Sequence, residues 1–320
     1  MQRPALPINE VQRLKALRAL NLLDTPPEER FDRFTRIAKR LFNVPTVLVS
    51  LIDENRQWFK SCIGLELTES PRDTSFCGHT ILGDHSLIVP DAIRDERFFD
   101  NPLVVAPPFI RFYAGHPLQL PNGLKLGTFC LIDNKTRGFS VRDIAALKDL
   151  AACIEREIVI FQLATVDDLT GIINRRGFIR FAQERLNLCR RKKLHAALVF
   201  IDLNKFKSIN DGFGHAEGDR VLIAFANLLQ ISLRESDIFA RLGGDEFAVL
   251  LTDATVENAK SAMSNLQNSL RTQALLRKYS VTFSYGAVPI NAENPSSLET
   301  LLAESDRVMY HHKKRLSALL

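Results

Sequence analysis

The run Ala196-Ala-Leu-Val-Phe-Ile201 is apolar at every position and stops at Asp202. Six consecutive apolar residues leave no face for water, so the segment predicts a central β-strand buried on both sides. Layers must therefore cover both faces of its sheet, and Asp202 stands where the strand runs out. Further on, two apolar strands at 238–242 and 247–252 are joined by Gly243-Gly244-Asp245-Glu246. The glycines have a plain reading, because a tight hairpin needs positive φ angles. Two acids placed directly after them are harder to ascribe to turn geometry. If this hairpin lies beside the Asp202 strand, three carboxylates converge at one end of the sheet. At about 4 Å and an effective dielectric near 20, each such pair repels by roughly 4 kcal/mol. A divalent cation removes that cost, and an all-oxygen donor set selects Mg²⁺ or Mn²⁺. The bare glycine backbone leaves room for a phosphate. Metal and open backbone together suit in-line nucleotidyl transfer.

At 320 residues the chain has room for two cores of roughly 150 residues each. Around the central strand the order reads helix 175–191, strand 196–203, helix 216–233, strands 238–242 and 247–252, helix 256–277, strand 281–289, helix 297–315. The inner β-α-β-β-α-β order predicts an antiparallel sheet backed by helices, a ferredoxin-like palm. The first half reads as helices 11–23 and 31–42, then strand-like runs at 46–52, 57–62, 87–89, 111–114 and 127–132. That is an α+β domain on one antiparallel sheet. The expected fold class is thus α+β in both halves.

A helix joins them. Ser140 is a plausible N-cap with Asp143 three residues on, and Ile144, Leu147, Ala151, Ile154, Ile158, Phe161 and Thr165 follow at alternating spacings of 3 and 4. Such a stripe packs on the first domain's sheet or pairs with the same helix of a second copy. We expect both: its early part docks to the sheet, and from about Ile154 it makes a parallel homodimer contact. The resulting division is 1–140 for the first domain, 141–166 for the linker helix and 167–320 for the second domain.

Composition excludes several classes. Hydrophobic residues make up 46% and charged residues 25%, which argues against disorder. No apolar run approaches the roughly 18 residues of a membrane span, and the first ten residues lack the apolar core of a secretory signal. Five scattered cysteines without a C-x-x-C pair predict buried thiols and a cytoplasmic location. A net charge of +5 is too small to imply nucleic acid.

A second cluster follows the central strand. Asn210 and Asp219 suit guanine, since a carboxylate takes two adjacent N–H donors and an amide can meet O6 or N7. Equally, Asn210-Asp211-Gly212 reads as a surface turn and Asp219 as a first-turn helix acid.

The run Asp202-Leu-Asn-Lys-Phe-Lys-Ser-Ile-Asn-Asp-Gly-Phe-Gly-His-Ala-Glu-Gly-Asp219, with Arg241-Leu-Gly-Gly-Asp-Glu-Phe247, resembles the GGDEF family of diguanylate cyclases. So do Asp167-Asp-Leu-Thr-Gly-Ile-Ile-Asn-Arg175 and Thr282-Phe-Ser-Tyr-Gly286. The resemblance implies condensation of two GTP into cyclic di-GMP and two pyrophosphates, by two domains meeting face to face. It implies metal ligation by Asp202, Asp245 and Glu246 with the Leu203 carbonyl, and a role for Glu246 in deprotonating the 3′-hydroxyl. Gly243 and Gly244 would lie against the nucleotide, Asn210 and Asp219 would read guanine, and Phe206 and Lys207 fall on phosphate-loop positions. Lys313 takes the place of a triphosphate-binding lysine. Arg234-Glu-Ser-Asp237 matches the family's inhibitory site, with Arg234 and Asp237 holding the product. Alone, the same four residues read as an ordinary ion pair. Two departures stand out: Asn204 replaces the second aspartate of Asp-x-Asp, and Leu316 and Ser317 replace the Gly and Arg that usually follow the lysine. Lys314 or Arg315 could supply the missing cation. The alternative implied is an inactive module that binds GTP or cyclic di-GMP.

The first half resembles a GAF domain, through Arg72-Asp-Thr-Ser-Phe-Cys-Gly-His79, Val89-Pro-Asp-Ala92, Asn101-Pro-Leu-Val104, Ile110-Arg-Phe-Tyr-Ala-Gly-His-Pro117 and Leu126-Gly-Thr-Phe-Cys-Leu-Ile-Asp133. It implies a regulatory domain with an unidentified small-molecule ligand. Cys77 and His79 invite a metal, haem or bilin, yet two side chains make only half a zinc site. Cys62 and Cys130 read as packing.

Overall fold

The computed structural model describes residues 1–234, 236–290 and 296–317, with the side chains of residues 312 and 315–317 left out. It divides into two compact units, Met1–Gln162 and Leu163–Leu320.

In the first unit, helices α1 (Glu10–Ala19) and α2 (Glu29–Phe42) precede strands β1 (Thr46–Ile52), β2 (Arg56–Ile63) and β3 (Glu69–Pro71). A short helix α3 (Phe76–Thr80), β4 (Leu87–Val89), the one-turn α4 (Pro102–Val105), β5 (Phe112–Gln119) and β6 (Lys125–Asp133) complete the sheet, in the order β3-β2-β1-β6-β5-β4. Central β1 is buried at all seven positions. Its Leu48 and Ile52 join Phe76, Cys77, Phe98 and Tyr113 in one apolar cluster. On helix α1 the apolar Val11 is exposed and the charged Arg13 is buried. The Arg13 guanidinium donates to Glu10 and to the Ile52 carbonyl, which satisfies the charge it carries inward.

The joining helix α5 (Val141–Thr165) starts as expected, with Ser140 and Asp143 bonding reciprocally. The fate of its stripe differs from expectation. Ile154, Ile158 and Phe161 are buried by the chain itself, Ile158 to 2% exposure. The Arg30 guanidinium from α2 lies 4.1 Å from the Phe161 ring centre, Glu157 pairs with Arg33, and Glu155 accepts from the Gln119 N–H at 2.8 Å. The residues expected to meet a second copy from Ile154 onward are thus buried within this chain. Packing on the chain's own elements holds along the helix, and the first unit takes in residues 141–162 that the sequence reading set apart as a linker.

In the second unit, β7 (Ile173–Asn174) and α6 (Arg175–Lys192) lead to β8 (Ala196–Leu203), the all-apolar strand. Helices α7 (Phe206–Phe213) and α8 (His215–Ser232), strands β9 (Ile238–Gly243) and β10 (Glu246–Thr252), helices α9 (Val256–Thr272) and α10 (Ala274–Lys278), β11 (Phe283–Ile290) and α11 (Leu298–Ser317) follow. The order β11-β8-β10-β9-β7 has β8 antiparallel to both neighbours, the ferredoxin-like arrangement expected. Ala197, Val199, Ile201 and Leu203 face a core shared with Val221, Phe225, Met263 and Leu266. Strand alternation turns Ala196, Leu198, Phe200 and hence Asp202 to the other face, where α11 lies close over β11 and β8. Gly286 permits that approach, since a Cβ there would stand 2.0 Å from the Ser305 carbonyl oxygen and 2.3 Å from the Met309 nitrogen. The helix expected over 256–277 breaks at Gln273, whose side chain caps α10 through the Leu276 N–H at 2.8 Å.

The buried stripe of α5 gives a direct test. Ile158→Asp should cost several kcal/mol, roughly the 3–5 of an unpaired buried charge, whereas Ile160→Asp, at a position 60% exposed, should stay within about 0.5 kcal/mol. Thermal melts of the two variants check this; equal melting temperatures would contradict the packing described.

Candidate active site

Strand register brings the acids together. Glu246 at the start of β10 pairs directly with Asp202 at the end of β8, and Asp202 also pairs with Ser284 of β11. Directly opposed residues share a face, so Asp202 and Glu246 project to the α11 side. The apolar match from Phe247↔Ile201 to Thr252↔Ala196 fixes this pairing. A slip of one residue would turn the whole buried set outward.

The hairpin carrying Asp245 is built around Gly244, whose φ of +50° is the left-handed value wanted at the first central position of a tight turn. A register shift between Glu246 and Phe247 opens the hairpin next to it. A Cβ on Gly243 or Gly244 would meet nothing within 4 Å, so this backbone is open on its outer side. The turn is anchored twice. The Leu203 N–H donates to the Asp245 carbonyl at 3.1 Å. The Arg241 Nε donates to the Gly244 carbonyl at 2.9 Å, while its Nη1 reaches both carboxylate oxygens of Asp167 at 3.1 and 3.3 Å. Sequence reading quoted Arg241 and Asp167 within motifs but gave them no work. Here they tie the entry segment to the glycine turn.

The local electrostatics are those of crowded acids. Burial, then the Asp202 charge, pushes the Asp245 carboxyl up from its ordinary value. Burial, then Asp306, Asp202 and Asp245, pushes Glu246 up, with Arg175 opposing. Asp306 was missed; its spacing of seven from Lys313 on one helix was the available signal. Lys313 comes off the same helix, and its Nζ donates to Asp202 Oδ1 at 2.5 Å. Among the described residues no cluster of three or more His, Cys, Asp or Glu is drawn close enough to cage a metal ion. The donor set itself fits a hard cation: carboxylates only, mutually repelling, with an ammonium already seated on one of them.

Asn204 is accounted for without a metal. Its Oδ1 accepts from the Ser284 hydroxyl at 2.8 Å and its Nδ2 donates to Thr282 Oγ1 at 3.2 Å. Next to it, 206–213 form α7, so Asn210-Asp211-Gly212 is helix and not the turn also considered. Phe206 and Asn210 both abut Gly218, where a Cβ would meet Asn210 Oδ1 at 1.9 Å, and Asp219 stands exposed next to that glycine. The α7–α8 corner thereby gathers Phe206, Asn210 and Asp219, with Lys207 exposed beside them. Arg234 and Asp237 are separate, at the far end of β9, about 20 Å along the strand from the glycine turn. Arg234 is exposed, but the Asp237 carboxylate points inward and accepts from the backbone N–H groups of Arg234 at 3.1 Å and Thr252 at 3.2 Å. The two make a brace between turn and strand, not a side-chain ion pair. Lys314 lies over the Tyr310 ring at 4.6 Å. The side chains of Arg315, Leu316 and Ser317 lie outside the described residues.

In the first unit, Cys77 and His79 do not converge on a shared site. The His79 ring is bonded to the Gln2 carbonyl at 3.0 Å, and Cys77 is buried against Cys130. The expectation that Cys130 is mere packing misses that contact.

An antiparallel palm with carboxylates at the end of its central strand and an open glycine turn beside them defines the class of domain. Comparison with known proteins gives the family. Residues 164–317 match the family described as "Diguanylate cyclase, GGDEF domain", and residues 26–158 match "GAF domain". The chain thus belongs to the GGDEF family through its second unit and carries a GAF domain ahead of it. A cyclic di-GMP phosphodiesterase of Pseudomonas aeruginosa is 30% identical over 89% of this chain, which covers 49% of that protein. The probable diguanylate cyclase DgcC of Escherichia coli is 38% identical over 48% of this chain and 41% of its own length. The chain therefore spans half or less of these two curated relatives. Among solved structures, the GGDEF domain of TpbB from Pseudomonas aeruginosa is 34% identical, with a TM-score of 0.40 over 44% of this chain and 90% of that one. No helix of the described residues is long and apolar enough to cross a membrane.

Removing charge from the crowded row should stabilise the ligand-free protein. A carboxyl whose folded pKa is raised binds its proton more tightly folded than unfolded, so stability falls as pH rises through that window. Asp245→Asn should therefore raise the melting temperature by a few degrees at pH 7. The gain should vanish below the unfolded carboxylate range of roughly 4. Calorimetry across pH without added metal checks both signs.

Proposed function

We propose that the chain is a diguanylate cyclase, condensing two GTP into cyclic di-GMP and two pyrophosphates. The observation that carries the reading is the opposed pair Asp202 and Glu246, with Asp245 on an open glycine turn beside them. Asp202, Asp245 and Glu246, with the Leu203 carbonyl, would hold Mg²⁺ or Mn²⁺. When bound, that ion offsets triphosphate charge and polarises the α-phosphate. Gly243 and Gly244 let phosphate approach the backbone. Phe206 and Lys207 flank the phosphates at the start of α7, Asn210 and Asp219 read guanine, and Lys313 moves from Asp202 to the triphosphate. Glu246, whose proton affinity is raised by burial and then by its acidic neighbours, takes the proton of the 3′-hydroxyl as that oxygen attacks the α-phosphorus of a second GTP and pyrophosphate leaves. One half-site holds one GTP, so the reaction needs two copies of the domain facing each other, a homodimer in the act of catalysis.

Two controls complete the proposal. The GAF domain takes a small molecule that biases how often the two catalytic faces meet. Shifting the competent arrangement from about 1% to about half needs under about 3 kcal/mol of differential binding. Product binds at Arg234 and Asp237, where the exposed guanidinium suits a phosphate. The inward carboxylate of Asp237 keeps an unused lone pair on each oxygen for a guanine N–H. A cytoplasmic location follows from GTP as substrate.

A second reading is a module that binds nucleotide without turning it over. It is favoured by the phosphodiesterase name of the Pseudomonas aeruginosa relative, which matches across both units. Incubation with GTP and Mg²⁺ separates the two, because only a cyclase releases pyrophosphate. Glu246→Gln should lower turnover by at least about 100-fold, the scale of a lost general base, while circular dichroism stays unchanged; near-parental turnover would remove Glu246 from the mechanism. Arg234→Ala should raise the product concentration needed for half-inhibition by roughly tenfold or more, as loss of a charge-assisted contact of about 1.5 kcal/mol implies. An unchanged inhibition curve would leave these residues as a structural brace only.

A further inference from the structure

The first unit holds a pair of thiols that nothing above uses. Cys77 on α3 and Cys130 on β6 are 2% and 0% exposed. Their sulfur atoms lie 3.6 Å apart. The surroundings of Cys77 are unlike a packing site. Gln57 Nε2 donates to its sulfur at 3.3 Å, and the Tyr113 hydroxyl donates at 3.4 Å. These donors are held in turn: the Ser75 hydroxyl bonds Gln57 Oε1, and Thr80 Oγ1 lies 2.7 Å from the Tyr113 oxygen. Ser50 and Thr128, 3.0 Å from each other on adjacent strands, add further hydroxyls beside the same sulfur. A neutral thiol filling an apolar gap needs none of this. A sulfur ringed by donors is prepared to carry negative charge.

The two thiols are also set apart chemically. Burial pushes the Cys77 thiol up, but hydrogen bonds from Cys130, Ser50, Thr128 and Tyr113 outweigh it and hold the group below its ordinary value, at about 6. Burial, then the adjacent Cys77, pushes Cys130 up. The side-chain donors gather on the Cys77 sulfur, from Gln57 and Tyr113, while Cys130 lies in contact with it from the adjoining strand. That is the division between an attacking and a resolving cysteine. Cys62 has no such place, since its thiol donates to the Leu65 carbonyl at 3.4 Å and burial raises it.

We propose that Cys77 and Cys130 form an oxidisable dithiol site in the GAF domain, whose substrate is a small hydroperoxide. The Cys77 thiolate attacks one peroxide oxygen, the O–O bond breaks, and the departing oxygen leaves as water or an alcohol after taking a proton. Cys77 is then a sulfenic acid. The Cys130 sulfur attacks it, the S–O bond breaks, water leaves with the Cys130 proton, and a disulfide joins the two. In sum two thiols are oxidised and one peroxide is reduced. A small dithiol reverses the step by two thiol exchanges. The sulfurs must close from 3.6 Å to about 2.05 Å, and Cys77 sits on a helix of only five residues, a short element of the kind that shifts locally. The site does not depend on the cyclase reading.

The test uses the whole chain, reduced and then treated with hydrogen peroxide. Trypsin without reductant should release peptides 73–94 and 126–135 as one species, lighter by two hydrogens than their sum and split by dithiothreitol. Recovery of both peptides separately, with both thiols still open to alkylation after unfolding, would overturn the proposal. So would a cross-link from Cys77 to any other cysteine. Cys130→Ser should halt the reaction at a sulfenic acid on Cys77 that a cyclic 1,3-dione traps. Should that variant not fold, the cross-link in the parent chain still decides.

Discussion

The second unit depends on a conflict that its sheet is built to withstand. Register sets Asp202 and Glu246 opposite one another, and the glycine turn holds Asp245 beside them. Like charges at such spacing oppose folding. The opposition is contained because the rest of β8 and β10 is buried apolar pairing, which a register slip would turn to water. Lys313 and Arg175 relieve part of the repulsion from helices on either flank of the row. The core therefore fixes positions that the acids by themselves would abandon. A local arrangement that works against folding and is held by the surrounding core is what a functional site would require.

Much of this was legible in the chain. The apolar run ending in Asp202 predicted a central strand with the observed bounds, and the two-acid hairpin tip predicted the convergence. The reason is that strand period and turn chemistry are local, so short stretches carry them. What failed was non-local. The α5 stripe has a coiled-coil spacing, but spacing says only that a face is apolar, not what covers it. Arg30, far away in sequence, lies over Phe161 of the stripe, and Arg33 and the end of β5 hold the flanking Glu157 and Glu155. Arg13 is buried although its residue type reads as surface, because Glu10, itself held by Arg72, and the Ile52 carbonyl meet its guanidinium in space. The turn reading of Asn210-Asp211-Gly212 gave way to helix α7, as burial of Ile209 outweighed weak local propensity.

Asp237 illustrates how a motif and a geometry can ask different things of one side chain. The Arg-x-x-Asp pattern assigns its carboxylate outward. The fold uses both oxygens to bind backbone donors across the α8–β9 corner. The two backbone bonds leave each carboxylate oxygen the capacity to accept one more, so the demands do not exclude each other. A ligand held by Arg234 would then rest on a carboxylate already fixed in place, so little freedom is lost on binding.

Asn204 carries the same lesson in the other direction. An aspartate there could accept from Ser284 but could not donate to Thr282, and a further carboxylate would join Asp202, Asp245 and Glu246 at the crowded end of β8. The amide does both jobs without charge, tying β8 to the start of β11 through Thr282 and Ser284. That strand is the one α11 lies against at Gly286, and α11 carries Lys313 to Asp202. The departure from the family's acid therefore leaves the carboxylate row intact and reinforces the path that sets the lysine over it.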